Sequence, residues 1–417
     1  MLNNNKNNWK EQIESLEKEL RPIFEKIDKI VDFNQEKILN AFVKEKIGQH
    51  HLYGTTGYGH DDLGRDALEK VFAHVFKAEK TLVRPHFASG THTLACVLYG
   101  ILRPGDTLLS IAGEPYDTLH EIIGITGQGQ GSLKEFGINY RQIDLLESGY
   151  VDIDNIKNHI NKHTKLAFIQ RSRGYSWRPS ISVKDLKKII FKIKSIKEDI
   201  ICFVDNCYGE FTEKEEPLET GADIIAGSLI KNPGGGIVPY GGYIAGKENL
   251  VEKSACRLYA PGIGTKGGAT GNFILPAFQG LFMSPKLVGE ALKGGILVAK
   301  VFESQGYAVS PKPDEHRTDI IQSIRFEDKN LLKAFCKGLQ KASPVDSYVD
   351  PIPSGVPGYE DQVIMAGGTF IEGSTSELSA DGPLRPPYVA YWQGGLSYSH
   401  CKLGLYSALD EIELITG

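Results

Sequence analysis

Apolar residues near the start of the chain recur every three or four positions, which is the spacing of a helix with one buried face. Charged residues lie between them, so residues 9–46 are predicted to form an amphipathic helical arm. From about residue 50 the pattern changes to short apolar runs, each followed by a segment with helical spacing. The runs predicted to be strands are 81–84, 107–111, 138–143, 165–170, 200–204 and 223–226. Strands that alternate with helices predict a mostly parallel sheet with helices on both faces, the α/β class.

Two helices of this region have recognisable ends. One is predicted to begin at Gly90 and to stop at Arg103-Pro104-Gly105, because a proline–glycine pair ends helices. Ser182 followed by Asp185 has the form of a capping box, so a second helix is predicted to begin there.

The sequence pattern changes again after about residue 285, where glycine becomes rarer and predicted helices and strands are mixed. We predict helices at 286–304, 329–341 and 396–411, and strands at 319–325 and 362–371. The expected organisation is a helical arm at 1–46, a large α/β domain at 47–285 and a small C-terminal α+β domain at 286–417.

Charge and composition narrow the possible partners and the location. The chain of 417 residues has 47 Lys and Arg against 52 Asp and Glu, a net charge of −5, so no nucleic-acid partner is expected. The longest uncharged stretch, 267–285, is interrupted by polar residues and glycine, and no membrane span is expected. The start of the chain lacks the pattern of a secretion signal. A cytoplasmic protein with reduced cysteines is predicted.

Two segments could carry chemistry. Asp205 ends a predicted buried strand, and Lys231 follows the next strand and enters a glycine-rich loop. Each has an ordinary explanation alone, as a helix cap and a solvated loop residue. Together they fit pyridoxal 5′-phosphate (PLP), which needs a lysine and an acid beside its ring nitrogen. To act as an amine, the lysine should have a lowered pKa, favoured by burial and by the cationic imine of the cofactor.

The phosphate of such a cofactor needs donors at the start of a helix. Ser89, Gly90 and Thr91 lie between the first strand and its helix, and Ser228 could add a hydroxyl group.

At this point the sequence resembles a known family. The elements Ser89-Gly90-Thr91, Asp205-x-x-Tyr208 and Ser228-x-x-Lys231 resemble the fold type I PLP enzymes. The segments that are similar to one branch are 58–65, 170–175, 260–264 and 377–387. This branch contains the bacterial aluminium resistance proteins, which are related to methionine gamma-lyase and cystathionine beta-lyase.

The resemblance implies a role for each matching residue. Lys231 would form the Schiff base with PLP and Asp205 would hold the ring nitrogen, while Tyr116 would stack on the ring and take part in catalysis. The remaining implied cofactor contacts are Tyr208 at the ring hydroxyl, Ser89, Gly90, Thr91 and Ser228 at the phosphate, and Tyr58 at the phosphate of a neighbouring subunit. Arg385 is the first candidate to bind the substrate carboxylate and Arg173 the second, with an exposed surface arginine as the alternative for both.

The chain departs from the usual lyases at one motif. Where they have Tyr-Ser-Arg, this chain has Tyr58-Gly59-His60, and Arg65 is the candidate replacement for the missing arginine. No metal site is expected, because the acidic cluster Glu213, Glu215 and Glu216 has the pattern of a solvated turn.

The expected activity is β- or γ-elimination that breaks the carbon–sulfur bond of an amino acid such as cystathionine, methionine or cysteine. An aminotransferase is the first alternative, because it uses the same cofactor residues. A non-catalytic protein of metal tolerance is the second. A homodimer or homotetramer is expected, with active sites shared between chains.

Overall fold

Twelve strands form two sheets over the part of the chain that the computed structural model describes, which is residues 4–127, 129–356, 359 and 361–416. The strands of the larger sheet are β1 (Lys80–Arg84), β2 (Thr107–Ser110), β3 (Asn139–Gln142), β4 (Thr164–Gln170), β5 (Ile201–Asp205), β6 (Ile224–Ser228) and β7 (Gly242–Gly246). Their order across the sheet is β1-β7-β6-β5-β4-β2-β3. Strands β2 to β6 run parallel, and β7 is antiparallel to both of its neighbours.

The six strands expected in this region all form, each within a residue or two of its predicted ends. Strand β7 is an addition. It begins and ends with glycine, which is disfavoured in strands, and it forms because it is buried between β1 and β6. The α/β class is therefore confirmed, with one antiparallel strand inside a mostly parallel sheet.

Helices cover the sheets and connect them. Their ranges are α1 (Asn4–Lys44), α2 (Leu63–Phe76), α3 (Gly90–Ile101), α4 (His120–Ile123), α5 (Ile156–His159), α6 (Val183–Ile196), α7 (Glu248–Leu258), α8 (Ile274–Ser304), α9 (Lys329–Lys341) and α10 (Tyr398–Thr416). The Ser182 hydroxyl accepts from the amide of Asp185, so Ser182 caps α6 at the predicted start; the Asp185 carboxylate accepts from the Ser182 hydroxyl and not from its backbone amide, so the reciprocal half of a capping box is not formed.

The second sheet is antiparallel throughout, in the order β10-β11-β12-β9-β8. Its strands are β8 (Ala308–Ser310), β9 (Gln322–Arg325), β10 (Val363–Ala366), β11 (Ser379–Pro383) and β12 (Val389–Gln393). Strands β9 and β10 lie within the predicted runs, whereas β8, β11 and β12 were not expected. Helices α9 and α10 pack on one another beside this sheet.

Helix α8 corrects one predicted boundary. It begins at Ile274, twelve residues before the expected start at 286, and continues through Pro285, so the division placed at 285/286 falls inside a helix. Gly280 has a packing role inside this helix. A β-carbon there would lie 2.3 Å from the carbonyl oxygen of Gly234, so glycine lets α8 approach the loop that follows Lys231.

Helix α1 packs along α8 and also touches α2 and α10, so the predicted arm belongs to the main hydrophobic core. All six cysteines are free thiols, and five of them are buried. Among the described residues, no helix has the length and apolar character required to cross a bilayer.

Candidate active site

The parallel strands β5 and β6 bring the predicted cofactor residues together. Asp205 is the last residue of β5 and Ser228 the last of β6, and the two strands are neighbours in the sheet. Functional groups of α/β proteins gather at this carboxyl edge. Lys231 follows Ser228 by three residues, and its Nζ lies 3.9 Å from the centre of the Tyr208 ring. The edge therefore holds a carboxylate, a phenol and a lysine within one cluster.

The electrostatics of this cluster differ from the expectation. Burial raises the pKa of Asp205 above its ordinary value, and the charge of Lys231 acts in the opposite direction. Burial lowers the pKa of Lys231, but Cys207, Tyr208 and Asp205 together outweigh it and raise the pKa above the usual range. The predicted fall in the Lys231 pKa is thus wrong for the polypeptide alone, because the chain surrounds the ammonium with acidic groups. The expectation depended on a cation that belongs to the cofactor.

The loop after β5 holds Tyr208 in a strained conformation. Tyr208 has φ of 70°, in the left-handed region that favours glycine. The side-chain amide of Asn232 donates to the carbonyl oxygens of Tyr208 (3.0 Å) and Glu210 (2.9 Å). From α1, Asn34 donates to the carbonyl of Phe211 at 3.2 Å. The loop is therefore fixed by a neighbour of Lys231 on one side and by the N-terminal helix on the other.

The start of α3 fits a phosphate group. The Oγ of Ser228 is buried without a hydrogen-bond partner. A β-carbon on Gly90 would lie 3.2 Å from the Ser228 β-carbon, so only glycine leaves the helix start open towards that hydroxyl. Ser89 caps α3 by accepting from the amide of His92, and the Thr91 hydroxyl lies 2.8 Å from that of Thr118. An unpartnered hydroxyl, a helix N-terminus, a carboxylate and a lysine form a donor set that suits PLP.

Tyr116 forms a wall of the same site. Its backbone amide donates to Oε1 of Gln170 at 2.7 Å, and the hydroxyl of Tyr359 donates to the Tyr116 hydroxyl. Gly174, with φ of 56°, passes close to the ring, since a β-carbon there would lie 3.0 Å from Cδ2 of Tyr116. Burial raises the pKa of Tyr116 above its ordinary value, so its hydroxyl is protonated at neutral pH.

Tyr116 opens onto a cleft of ≈ 360 Å³ that both candidate arginines line. Arg173 is buried, and its Nη1 donates to the carbonyl and hydroxyl oxygens of Ser310. The exposed-surface alternative is therefore wrong for Arg173. Arg385 is half exposed and donates to Asp361 at 2.9 Å, so its guanidinium group can turn towards the cleft or the solvent.

Further aromatic and hydroxyl side chains complete the site in ways the sequence did not indicate. The rings of Tyr175 and Tyr359 pack against Tyr116, the ring of Tyr391 packs against Tyr175, and Asp381 accepts from the Tyr175 hydroxyl. The hydroxyl groups of Ser374, Thr375, Ser376 and Ser379 are buried without a partner. Ser379 lies inside the 377–387 motif and the other three directly precede it, so a run of small hydroxyl residues at the start of that motif was the only signal for them.

The prediction that the acidic cluster at 213–216 is a solvated turn is wrong for two of its three acids. Glu215 is exposed, but Glu216 is fully buried and accepts from the amide of Phe211. Glu213 accepts from Arg171 at 2.6 Å and from the amide of Val183 at 2.9 Å. Two of the three acids are structural because buried backbone and guanidinium donors require them. Among the described residues, no group of three or more metal-ligating side chains could hold an ion.

Tyr58 lies on the loop that precedes α2, and Arg65 lies in the first turn of that helix. Tyr58 is 84% exposed, and its ring stacks on His60 with 5.8 Å between centres. Arg65 is buried and donates to the carbonyl oxygen of Gly59 at 2.5 Å. Within its own chain, therefore, Arg65 holds the backbone of the loop while Tyr58 projects from it.

The architecture is shared with PLP-dependent enzymes. The protein YhfS of Escherichia coli, described as pyridoxal-5′-phosphate dependent, superposes with a TM-score of 0.62 at 16% identity, over 92% of this chain and 96% of that one. The cystathionine gamma-lyase of Lactobacillus plantarum gives a TM-score of 0.60 at 16% identity, over 84% and 86%. At such low identity these likenesses show the fold alone.

Closer similarity covers almost the whole chain. The family model for methionine gamma-lyase matches residues 9–413, and the chain belongs to that family. A carbon–sulfur lyase involved in aluminium resistance from Clostridium novyi is 51% identical with a TM-score of 0.92, over 96% of this chain and 94% of that one. The uncharacterized protein YnbB of Bacillus subtilis is 48% identical over 95% of this chain and 94% of its own length. The resemblance inferred from the motifs is thereby confirmed.

Proposed function

We propose that this protein is a PLP-dependent carbon–sulfur lyase that eliminates a thiol from a sulfur-containing amino acid. The observation that carries the proposal is the cluster at the carboxyl ends of β5 and β6, where Asp205, Tyr208 and Lys231 meet beside the unpartnered hydroxyl of Ser228. Membership of the methionine gamma-lyase family supports the same chemistry.

Each residue has a proposed task. Bound PLP supplies an electron sink for the negative charge left when the substrate loses its α-proton. Lys231 holds the cofactor and then moves that proton as base and acid, and Asp205 keeps a proton on the ring nitrogen. Tyr208 hydrogen-bonds the ring hydroxyl, while Ser89, Gly90, Thr91 and Ser228 hold the phosphate.

The cleft accounts for the substrate side of the proposal. Tyr116 would stack on the bound cofactor, and its protonated hydroxyl would donate to the departing sulfur, which leaves with the electron pair of the broken bond and takes up a proton. Arg385 and Arg173 line the cleft that Tyr116 faces, and either guanidinium group can bind a carboxylate through two parallel hydrogen bonds. The proposed assembly is a homodimer or homotetramer in which Tyr58 reaches the phosphate of a neighbouring subunit.

Product analysis tests the proposed reaction. Purified protein with bound PLP is incubated with one amino acid at a time: cystathionine, methionine or cysteine. The release of keto acid, ammonia and thiol is measured in each incubation. Elimination yields keto acid and ammonia in equal amounts without any acceptor. Keto acid that forms only when a second keto acid is added would instead identify an aminotransferase, and no turnover of any of them would contradict the proposal.

A further inference from the structure

A buried carboxylate connects the antiparallel sheet with the wall of the active site. Asp381 lies on β11 and is 7% exposed. Its Oδ2 accepts from the hydroxyl of Tyr175 at 2.8 Å and from Nε2 of Gln393 at 3.0 Å. Tyr175 belongs to the loop after β4, so this hydrogen bond joins the two sheets at the site. Nothing in the proposed reaction uses Asp381.

The ring of Tyr175 lies in the middle of the aromatic cluster that surrounds the cleft. Its centre is 5.8 Å from that of Tyr116, 5.5 Å from that of Tyr359 and 5.3 Å from that of Tyr391. The hydroxyl of Tyr359 donates to that of Tyr116, and the Tyr175 hydroxyl acts on Tyr116 by lowering its pKa. A change in the direction in which the Tyr175 hydroxyl points would therefore change the hydrogen bonding of the Tyr116 hydroxyl.

The charge on Asp381 decides that direction. An ionised carboxylate only accepts hydrogen bonds, so it draws the proton of Tyr175 to itself and away from Tyr116. The Tyr116 oxygen then accepts a hydrogen bond from Tyr359 alone. Its second lone pair and its own proton stay available to a reacting group. When Asp381 is protonated on Oδ2, this oxygen donates to Tyr175, which frees the Tyr175 hydroxyl to donate to Tyr116 and to fill the second lone pair of the Tyr116 oxygen.

We propose that Asp381 is a positioning residue that acts through Tyr175 to keep the Tyr116 hydroxyl available to the substrate, and that its ionisation sets the lower pH limit of the reaction. This inference rests on the proposed lyase function. Burial raises the pKa of Asp381 to about 6, while the hydrogen bonds from Tyr175 and Gln393 act in the opposite direction. The limit is therefore expected near that pH.

Other groups around Asp381 are accounted for. Tyr116, Tyr175 and Tyr208 face it from the larger sheet, and the pKa of each is raised by burial and by the charge of Asp381. The groups that approach from the remaining elements are Cys336 on α9 and Tyr391 and Gln393 on β12. The phenols and the thiol have pKa values raised by burial, so they stay neutral where Asp381 titrates.

Two variants separate this role from a structural one. Asp381→Asn preserves both hydrogen bonds, since they end on a single oxygen that the amide oxygen can replace. Tyr175→Phe preserves the ring contacts. Asp350→Asn, the same change at an exposed carboxylate of the same half of the chain, is the matched control. For each holoenzyme, kcat/KM is measured from pH 5 to pH 9.

The expected wild-type profile loses about tenfold per pH unit below pH 6, as one essential ionisation requires. Asp381→Asn and Tyr175→Phe should lack this acid limb, and Asp350→Asn should keep it. An acid limb that persists unchanged in both site variants would overturn the proposal.

Unfolding provides a second measurement that needs no activity. Because the folded pKa of Asp381 lies above its unfolded value of 3.8, the ionisation of Asp381 should lower the stability of the wild type relative to Asp381→Asn as the pH rises from about 4 to 6. The Tm of Asp381→Asn should therefore exceed that of the wild type at pH 8, with a difference that vanishes below pH 4. A constant difference across this range would also overturn the proposal. A wild type that releases no keto acid would defeat the lyase function, while the melting curves would still decide whether Asp381 titrates in this way.

Discussion

The strongest residue-level prediction concerns Lys231. Its Nζ lies over the Tyr208 ring and beside Asp205, in the position from which a lysine could bind PLP covalently. After borohydride reduction of the holoenzyme, the wild type should carry PLP on the peptide that contains residue 231. Lys231→Ala should carry none and should lose activity by about a thousandfold or more, the scale expected when an essential base is removed.

Mass spectrometry of the digested protein gives the result directly. Lys187→Ala, which removes an exposed lysine of α6, is the control and should retain both the label and the activity. A reduced cofactor attached to any other lysine in the Lys231→Ala protein would show that Lys231 has been assigned wrongly.

At the scale of elements, the beginning of α3 carries a prediction about cofactor affinity. A β-carbon on Gly90 would press against Ser228 at 3.2 Å and narrow the space for a phosphate. Alanine is the better helix former, which offsets the cost of this contact, so Gly90→Ala should change the stability of the free protein little. Its affinity for PLP should fall about tenfold or more, equivalent to about 1.4 kcal/mol.

Titration of the cofactor-free protein with PLP, followed by absorbance, measures this affinity. Gly355→Ala serves as the control, because a β-carbon at Gly355 meets no atom within 4 Å. An unchanged dissociation constant for Gly90→Ala would place the phosphate elsewhere.

The elements also explain which parts could be predicted from the sequence. Asp205 and Ser228 end apolar runs, so the hydrophobic pattern alone places them at one edge of the sheet. Asp381 could not be found in this way. Its strand, Ser-Ala-Asp-Gly-Pro, contains glycine and proline and forms only because β10 and β12 pair with it on either side. Its partner Tyr175 is 206 positions away, and no local pattern records such a contact.

At the scale of the whole molecule, the arrangement of Tyr58 predicts that active sites are shared between chains. Tyr58 is 84% exposed on a loop whose backbone is held by Arg65 and the 268–271 segment. An exposed aromatic side chain on a fixed loop is available to another subunit.

Mixing inactive Tyr58→Ala with inactive Lys231→Ala, under conditions that exchange subunits, should therefore restore activity. Each mixed dimer keeps one site with Lys231 from one chain and Tyr58 from the other, so complete exchange should return about a quarter of the wild-type activity. Tyr53→Ala, at another exposed aromatic of the same region, should be active without mixing. Exchange demonstrated by mass labels without any recovery of activity would mean that Tyr58 serves its own chain.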